Sequence, residues 1–324
     1  MSQARAPIAL LMLLTTWVVA AHAQPYPARP VRVVVPYSAG GLPDTMARLV
    51  SQRLTESLGQ QFVVDNRPGA GGIGACELVA NSAADGYTLL VADSPQTAVN
   101  GALYAKLPYD TLRDFAPVSI IGTSTQFLAA NASLPAADLN ELISLARTKP
   151  GQLRYGSAGI GSLQHLAMEA LKLALKLDIV HVPYKGNAQA VPAMLAGEVS
   201  LVLSAFPAIL QHVKAGRVRL LAVNTLKRSA YAPEVPTVAE ITRISDFDFP
   251  PLIGVVAPAR TPERVIVRLS EAISAAVRHP ELQQRFSALG IDGVGSSPED
   301  YAKQIRVDIE KYAKAVKASG LKVE

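Results

Sequence analysis

Two stretches of this chain carry residue types suited to holding an anion without a cation. In Val35-Pro36-Tyr37-Ser38-Ala39-Gly40-Gly41-Leu42-Pro43-Asp44 an apolar run gives way to small residues and then to a helical pattern. Tyr155-Gly156-Ser157-Ala158-Gly159-Ile160-Gly161-Ser162 repeats the design. The first backbone N–H groups of a helix have no intrahelical partner, and the macrodipole places about half a positive charge there. Gly40, Gly41, Gly159 and Gly161 let a ligand approach the backbone, while Ser38, Ser157 and Ser162 add hydroxyl donors. Helix starts of this kind bind carboxylate or phosphate unaided. The same spacing also describes a tight strand-to-helix turn with Asp44 and Ser162 as helix caps, so the loops alone leave both readings open.

Other motifs are weaker. Val182-Pro183-Tyr184-Lys185-Gly186 closes an apolar run with an aromatic, a cation and a glycine, which suits a cleft wall or a surface turn. Ser204, Ala205, Phe206 and Pro207 follow another apolar run and either wall a cleft or start a helix. Gly69 to Gly74 matches G-x-G-x-x-G, the dinucleotide fingerprint, but the export signal described below argues against a nicotinamide cofactor. Gly156-Ser157-Ala158-Gly159 is half a nucleophile elbow, with Tyr155 where the pattern needs glycine. His165, His181, His212 and His279 show no metal-ligand spacing. Cys76, the only cysteine, sits among small residues with no cation or base nearby in sequence, which predicts a buried inert thiol. Neither a metal nor a cofactor is expected.

These loops need strands and helices to position them. Val31 to Val35 reads as a buried parallel strand. Met46, Leu49, Val50, Leu54 and Leu58 mark one helical face, stopped at Gly59. Strands at Phe62 to Val64 and Tyr87 to Ala92 flank a helix over Ile73 to Asn81. The grammar then repeats, with strands near 128–130, 153–155, 179–182, 201–203 and 220–223. Helices at 139–148, 163–175 and 191–196 lie between them. Strands alternating with helices predict an α/β architecture with largely parallel sheets. After a strand at 252–257 the chain turns helical, over 262–277, 280–289 and 298–318, as if returning to its first domain.

The N-terminus reads as an export signal. Arg5 precedes an apolar run from Ile8 to Ala20, and Ala21-His22-Ala23 gives an A-x-A site, so the mature chain starts at Gln24. The run is shorter than the roughly 20 residues of a spanning helix, and no direct membrane insertion is expected. With 31 basic and 26 acidic residues scattered along the chain, no basic patch points to nucleic acid.

Taken together, Val-Pro-Tyr-Ser-Ala-Gly-Gly-x-x-Asp (35–44), Asn-Arg-Pro-Gly-Ala-Gly-Gly (66–72) and Asp-Gly-Tyr-Thr-Leu-Leu (85–90) look like the N-terminal half of one family. Tyr-Gly-Ser-Ala-Gly-x-Gly-Ser (155–162), Val-Pro-Tyr-Lys-Gly (182–186) and Pro-Glu-Val-Pro-Thr-Val-Ala-Glu (233–240) look like the rest of it. The chain resembles the Bug, or TctC-type, periplasmic solute receptors of tripartite tricarboxylate transport systems. The resemblance implies a two-domain Venus-flytrap fold with two crossover strands. One domain spans 24–122 and 246–324, the other 123–245. It implies a non-enzymatic, monomeric receptor for a small organic acid, serving membrane transporter subunits. The ligand carboxylate would sit between the two glycine loops. Tyr37, Ser38, Ala39, Gly40, Gly41 and Asp44 would hold it from one side, and Ser157, Gly159, Gly161, Ser162 and Gln164 from the other. Tyr184, Lys185, Gly186, Ser204 and Phe206 would form the wall beyond. The stretch Ser200 to Phe206 departs from the acid and polar pair that members often carry there, so contacts to the distal end of the ligand do not transfer. A ligand-dependent sensor partner and an exported hydrolase using Ser157 are the competing functions.

Overall fold

The computed structural model describes residues 26–184 and 186–321; the stretch expected as an export signal, and Lys185, lie outside the described residues. The chain opens with β1 (Val31–Val35), α1 (Leu42–Leu58), β2 (Phe62–Asn66), α2 (Ile73–Ala80) and β3 (Thr88–Ala92). The valines of β1 are buried on both faces, as a central parallel strand requires. Gly59, at φ 70°, ends α1 in the left-handed conformation that only glycine adopts cheaply. A bent helical stretch from Pro95 ends in α3 (Asn100–Leu103), and α4 (Thr111–Asp114), capped by the Asp110 carboxylate, leads into β4 (Phe115–Thr123).

The chain then enters a second lobe. It holds β5 (Gln126–Asn131), α5 (Leu139–Thr148), β6 (Arg154–Ser157), α6 (Leu163–Leu175) and β7 (Val180–Pro183). There follow α7 (Asn187–Ala196), β8 (Leu201–Ala205), α8 (Phe206–Lys214), β9 (Val218–Val223) and α9 (Val238–Thr242). The return path is β10 (Leu252–Pro258), α10 (Glu263–Arg278), α11 (Pro280–Ala288), β11 (Asp292–Gly293) and α12 (Pro298–Ser319).

The strands form two sheets, in the orders β11-β4-β10-β3-β1-β2 and β7-β6-β8-β5-β9. Both are mixed, not largely parallel. β1 pairs in parallel with β2 and β3, and β6 with β7 and β8, but β10 runs antiparallel to β3 and β4, and β5 antiparallel to β8 and β9. β5, which carries the chain into the second lobe, and β10, which brings it back, are the strands that run against their neighbours, and the short β11 adds an antiparallel edge to β4. β4, nine residues long, is the longest strand that pattern reading passes over. Pro117, Ser119 and Gly122 interrupt its apolar run, and the pairing with β10 shifts register twice to accommodate it.

The lobes are joined where β4 becomes β5 and where the chain runs from Phe249 into β10. The two crossings are bonded to each other: Ser124 N and the Thr123 hydroxyl both donate to the Pro251 carbonyl. Asn224 staples the same region, donating from Nδ2 to Phe249 O at 2.7 Å and accepting Gln126 N at its Oδ1. α12 spans both lobes. Tyr301 and Ile305 pack in the core of the first sheet, while Tyr312, Ala315 and Val316 pack with Leu166, Leu171 and Phe249 in that of the second.

Candidate functional site

A cavity of about 670 Å³ lies between the lobes. The loops after β1 and after β6 both reach it, so each lobe presents the carboxyl end of a parallel strand and the start of the following helix. This is where open α/β sheets place ligands. From the first loop Tyr37, Ser38 and Gly41 line the cavity; from the second, Gly161, Ser162 and Gln164; and Ser204 lines it from the end of β8.

Ser162 caps α6, its Oγ accepting His165 N at 3.3 Å, which leaves the hydroxyl hydrogen for the cleft. Gly41 is the N-cap of α1 at φ −72°, and a Cβ built there meets nothing nearer than 3.5 Å. Its lack of a side chain therefore keeps space open in the cleft without serving the backbone.

The remaining described candidates lie off the cavity lining, and most have structural work of their own. Asp44 is not the cap of α1 but stands inside its first turn, 2% exposed, accepting Gly40 N, Arg48 Nε and Asn66 Nδ2. Burial pushes this carboxyl up, but those three donors outweigh it and hold it below its ordinary value. Asp44 thus ties down the turn at Gly40, which sits at φ 87°, while Ala39 is exposed beside it. Ser157 is fully buried and bonded to His181 Nε2 at 2.7 Å. The distance suits a nucleophile and its base, but the hydroxyl is sealed from the cavity and closes back on the Gly159 carbonyl. Gly159, at φ 129°, approaches the Tyr184 carbonyl, and Gly186 is the N-cap of α7. The Tyr184 hydroxyl points to Glu198. Phe206 stacks among Phe127 and Tyr231 in the second lobe. Lys185 lies outside the described residues.

Behind the second loop, His165 and His181 stack with ring centroids 3.7 Å apart. Gly161 N donates to His165 Nδ1 at 3.1 Å, so the loop is held by a neutral imidazole. Burial lowers both histidines, and His181, beside His165, falls to about 4.

Sequence reading missed a third loop and the distal wall. Pro68 to Gly72, which follows β2, lines the cavity, as do Asp93 and Gln96 after β3. Gly72 is at φ 82°, and a Cβ there would collide with Pro36 and Gln96. The signal was available: β1, β2 and β3 are adjacent and parallel, so their carboxyl-end loops must cluster. Asn100, Tyr104, Gln126 and Asn187 complete the polar lining. Asp93 Oδ1 accepts the Tyr37 hydroxyl at 2.6 Å, and Gln96 Nε2 donates to the Gly71 carbonyl. Among the described residues no Lys, Arg or His lines the cavity, and Asp93 is its one carboxyl. No cluster of three or more His, Cys, Asp or Glu suited to a metal forms among them either.

Two α/β lobes joined by paired crossings, with a polar cleft walled by helix starts and neutral donors, define a solute-binding protein of the periplasmic-binding fold. Comparison with known proteins gives the family. The tripartite tricarboxylate transporter family receptor model, TctC, matches residues 46–321, and the chain belongs to that family of transport receptors, which are binding proteins and not enzymes. Protein BugT of Bordetella pertussis is 37% identical over 303 residues, covering 93% of each chain. A protein from the tcbD-tcbE intergenic region of a Pseudomonas strain is 38% identical, over 90% of this chain and 86% of that one. Among solved structures, an R. palustris protein with adipate superposes with a TM-score of 0.81 at 34% identity, over 92% of this chain and all of the other. MatC of Rhodopseudomonas palustris, with bound malate, does so at 0.77 and 30%, over 90% of this chain and all of the other.

Proposed function

We propose that this protein is an extracytoplasmic receptor that closes its lobes on a small carboxylate-bearing solute and delivers it to the membrane subunits of a tripartite transporter. The observation that carries the reading is the pairing of two helix starts, α1 and α6, on one cavity that no described cation lines. A carboxylate there is neutralised by backbone N–H groups and by the Ser38 and Ser162 hydroxyls. Relatives solved with adipate and with malate agree with that chemistry. Export by the N-terminal signal places the receptor in the periplasm, and among the described residues no helix is long and apolar enough to cross a membrane. The lobes follow the division 24–122 with 246–324 and 123–245, which the membership of the two sheets supports.

Calorimetry against mono- and dicarboxylates, with two variants, tests the proposal. Gly41→Val places a branched side chain in the space the carboxylate needs, at a φ that tolerates it, and should nearly abolish binding in a protein that still melts normally. Ser162→Ala removes one hydrogen bond to a charged group, about 1.5–3 kcal/mol, and should weaken binding about ten- to a hundredfold. Wild-type affinity in both variants would mean that the loops are only turns.

A further inference from the structure

Asp93 stands directly after β3 and keeps part of its surface open to the cleft, where among the described residues it is the one carboxyl and no cation accompanies it. Its surroundings are unlike those of Asp44 in the same lobe. Asp44 accepts Gly40 N, Asn66 Nδ2 and the Arg48 guanidinium, a set that holds a carboxyl ionised. Among the described residues one side chain donates to Asp93, the neutral Tyr37 hydroxyl at 2.6 Å. The titratable groups that face Asp93 are Tyr37 on the loop after β1, Cys76 on α2, and Tyr301 and Tyr312 on α12. Burial raises all four, so each is neutral near pH 7 and none offsets a charge on Asp93. Tyr37 also ties Asp93 to the anion loop, because Ser38 follows it and the loop runs on to Gly41 at the start of α1, on the same cavity. An anionic solute held at the helix starts therefore shares the cavity with Asp93 and with no described cation. Like charges so placed disfavour each other's ionised form, and a proton on Asp93 removes the conflict.

We infer that capture of an anionic solute is coupled to protonation of Asp93: the receptor takes up a proton as it binds and returns it on release, so its affinity falls as pH rises above neutrality. The inference rests on the carboxylate-receptor reading above and adds its regulation. In the ligand-free protein burial pushes Asp93 up to about 7, with the Tyr37 hydroxyl pulling the other way. Below that pH the proton is already in place, and binding changes little with pH. Above it the proton must be acquired, and the charge of the bound solute raises Asp93 further. The coupling is reciprocal: the factor by which bound solute strengthens proton binding is the factor by which the proton strengthens solute binding.

Calorimetry at pH 7, 8 and 9 with acetate, hexanoate, succinate, malate and adipate, all ionised across that range, tests the coupling on whichever acid binds tightest. Its affinity should fall about fivefold or more from pH 7 to pH 9. At pH 8, titrations in HEPES and in Tris, which differ in ionisation enthalpy, should show net proton uptake by the complex. Asp93→Asn carries no titrating proton, so its affinity should stay level over the range, its proton uptake should vanish, and at pH 9 it should bind more tightly than wild type. Tyr37→Phe removes the donor that favours the ionised carboxylate and should move the fall to higher pH, which keeps the test decisive should Asp93→Asn fail to fold. An acid that binds with level affinity and no proton uptake overturns the coupling and leaves the carboxylate receptor standing. So does a fall that persists unchanged in Asp93→Asn, which would assign the proton elsewhere. If none of the acids binds at any of these pH values, the receptor reading fails and the coupling with it.

Discussion

Asp93 titrates in a range that a stability measurement can reach. Its carboxyl, near 3.9 in an unfolded chain, is pushed by burial to about 7 in the folded protein, against the pull of the Tyr37 hydroxyl. Between about pH 4 and pH 7 the folded state therefore binds one more proton than the unfolded state. Stability falls as pH rises through that window and levels off above it. Asp93→Asn removes this slope while keeping an acceptor for Tyr37. The ligand-free variant should gain on wild type progressively from pH 4 to pH 7, read as a growing difference in melting temperature at matched pH. A constant difference from pH 4 to pH 8 would place Asp93 outside the buried environment described above. Ser157 shows the other residue-scale lesson. Its type and spacing suited a ligand donor, but its hydroxyl is committed to His181, so Ser157→Ala should act on the stability of the second lobe far more than on affinity.

The loop between β6 and α6 depends on the stacked histidines behind it. Gly161 N donates to His165 Nδ1, and that bond needs the ring nitrogen unprotonated. Burial, then the neighbouring His165, lowers His181 to about 4, whereas an unfolded histidine titrates near 6.5. The unfolded state takes up the proton first, so stability falls as pH drops from about 6.5 towards 4, the opposite sign to Asp93. His181→Gln should flatten that acid limb. Urea titrations of both proteins at pH 7.5 and pH 5 should show a smaller acid-induced loss in the variant, and an equal loss in both would count against the stack. Much of this element was legible beforehand. The apolar spacing from Leu163 to Leu175 marks α6, and the glycines mark its loop. The burial of Ser157 was not, because His181 comes from β7, and only the parallel pairing of β6 with β7, which sets His181 opposite Tyr155 and Pro183 opposite Ser157, brings the His181 ring within reach of the Ser157 hydroxyl. The distal cleft was hidden for a related reason. Asp93, Gln126 and Asn187 belong to three separate elements, and no local spacing links them. β4 escaped because its proline and glycine are tolerated by register shifts that exist only in the paired sheet.

At the scale of the whole molecule, opening and closing must work through more than two crossing strands. α12 is rooted in the first lobe by Tyr301 and Ile305 and in the second by Tyr312, Ala315 and Val316. Its Lys311 Nζ donates to the Asp248 carbonyl at 2.7 Å, and the Tyr312 ring meets Phe249 edge-on at 5.8 Å, so the helix grips the chain just before it re-enters the first sheet. The crossings at Ser124 and Pro251 are small and bonded to each other, which suits a hinge, and α12, packed into both lobes, is placed to strap across it. Ligand closure should then appear as a modest compaction in small-angle scattering, because the strap limits how far the free protein can open. The single Trp of the chain, Trp17, falls in the stretch expected to be an export signal, so scattering is the cleaner probe. Tyr312→Ala empties a fully buried site and should cost about 3–5 kcal/mol, as for other large aromatic truncations. In the folded fraction it should also widen the ligand-free radius of gyration and enlarge the compaction on binding. A variant that loses stability while the ligand-free and bound scattering curves both match wild type would show that α12 is core packing alone and sets no limit on opening.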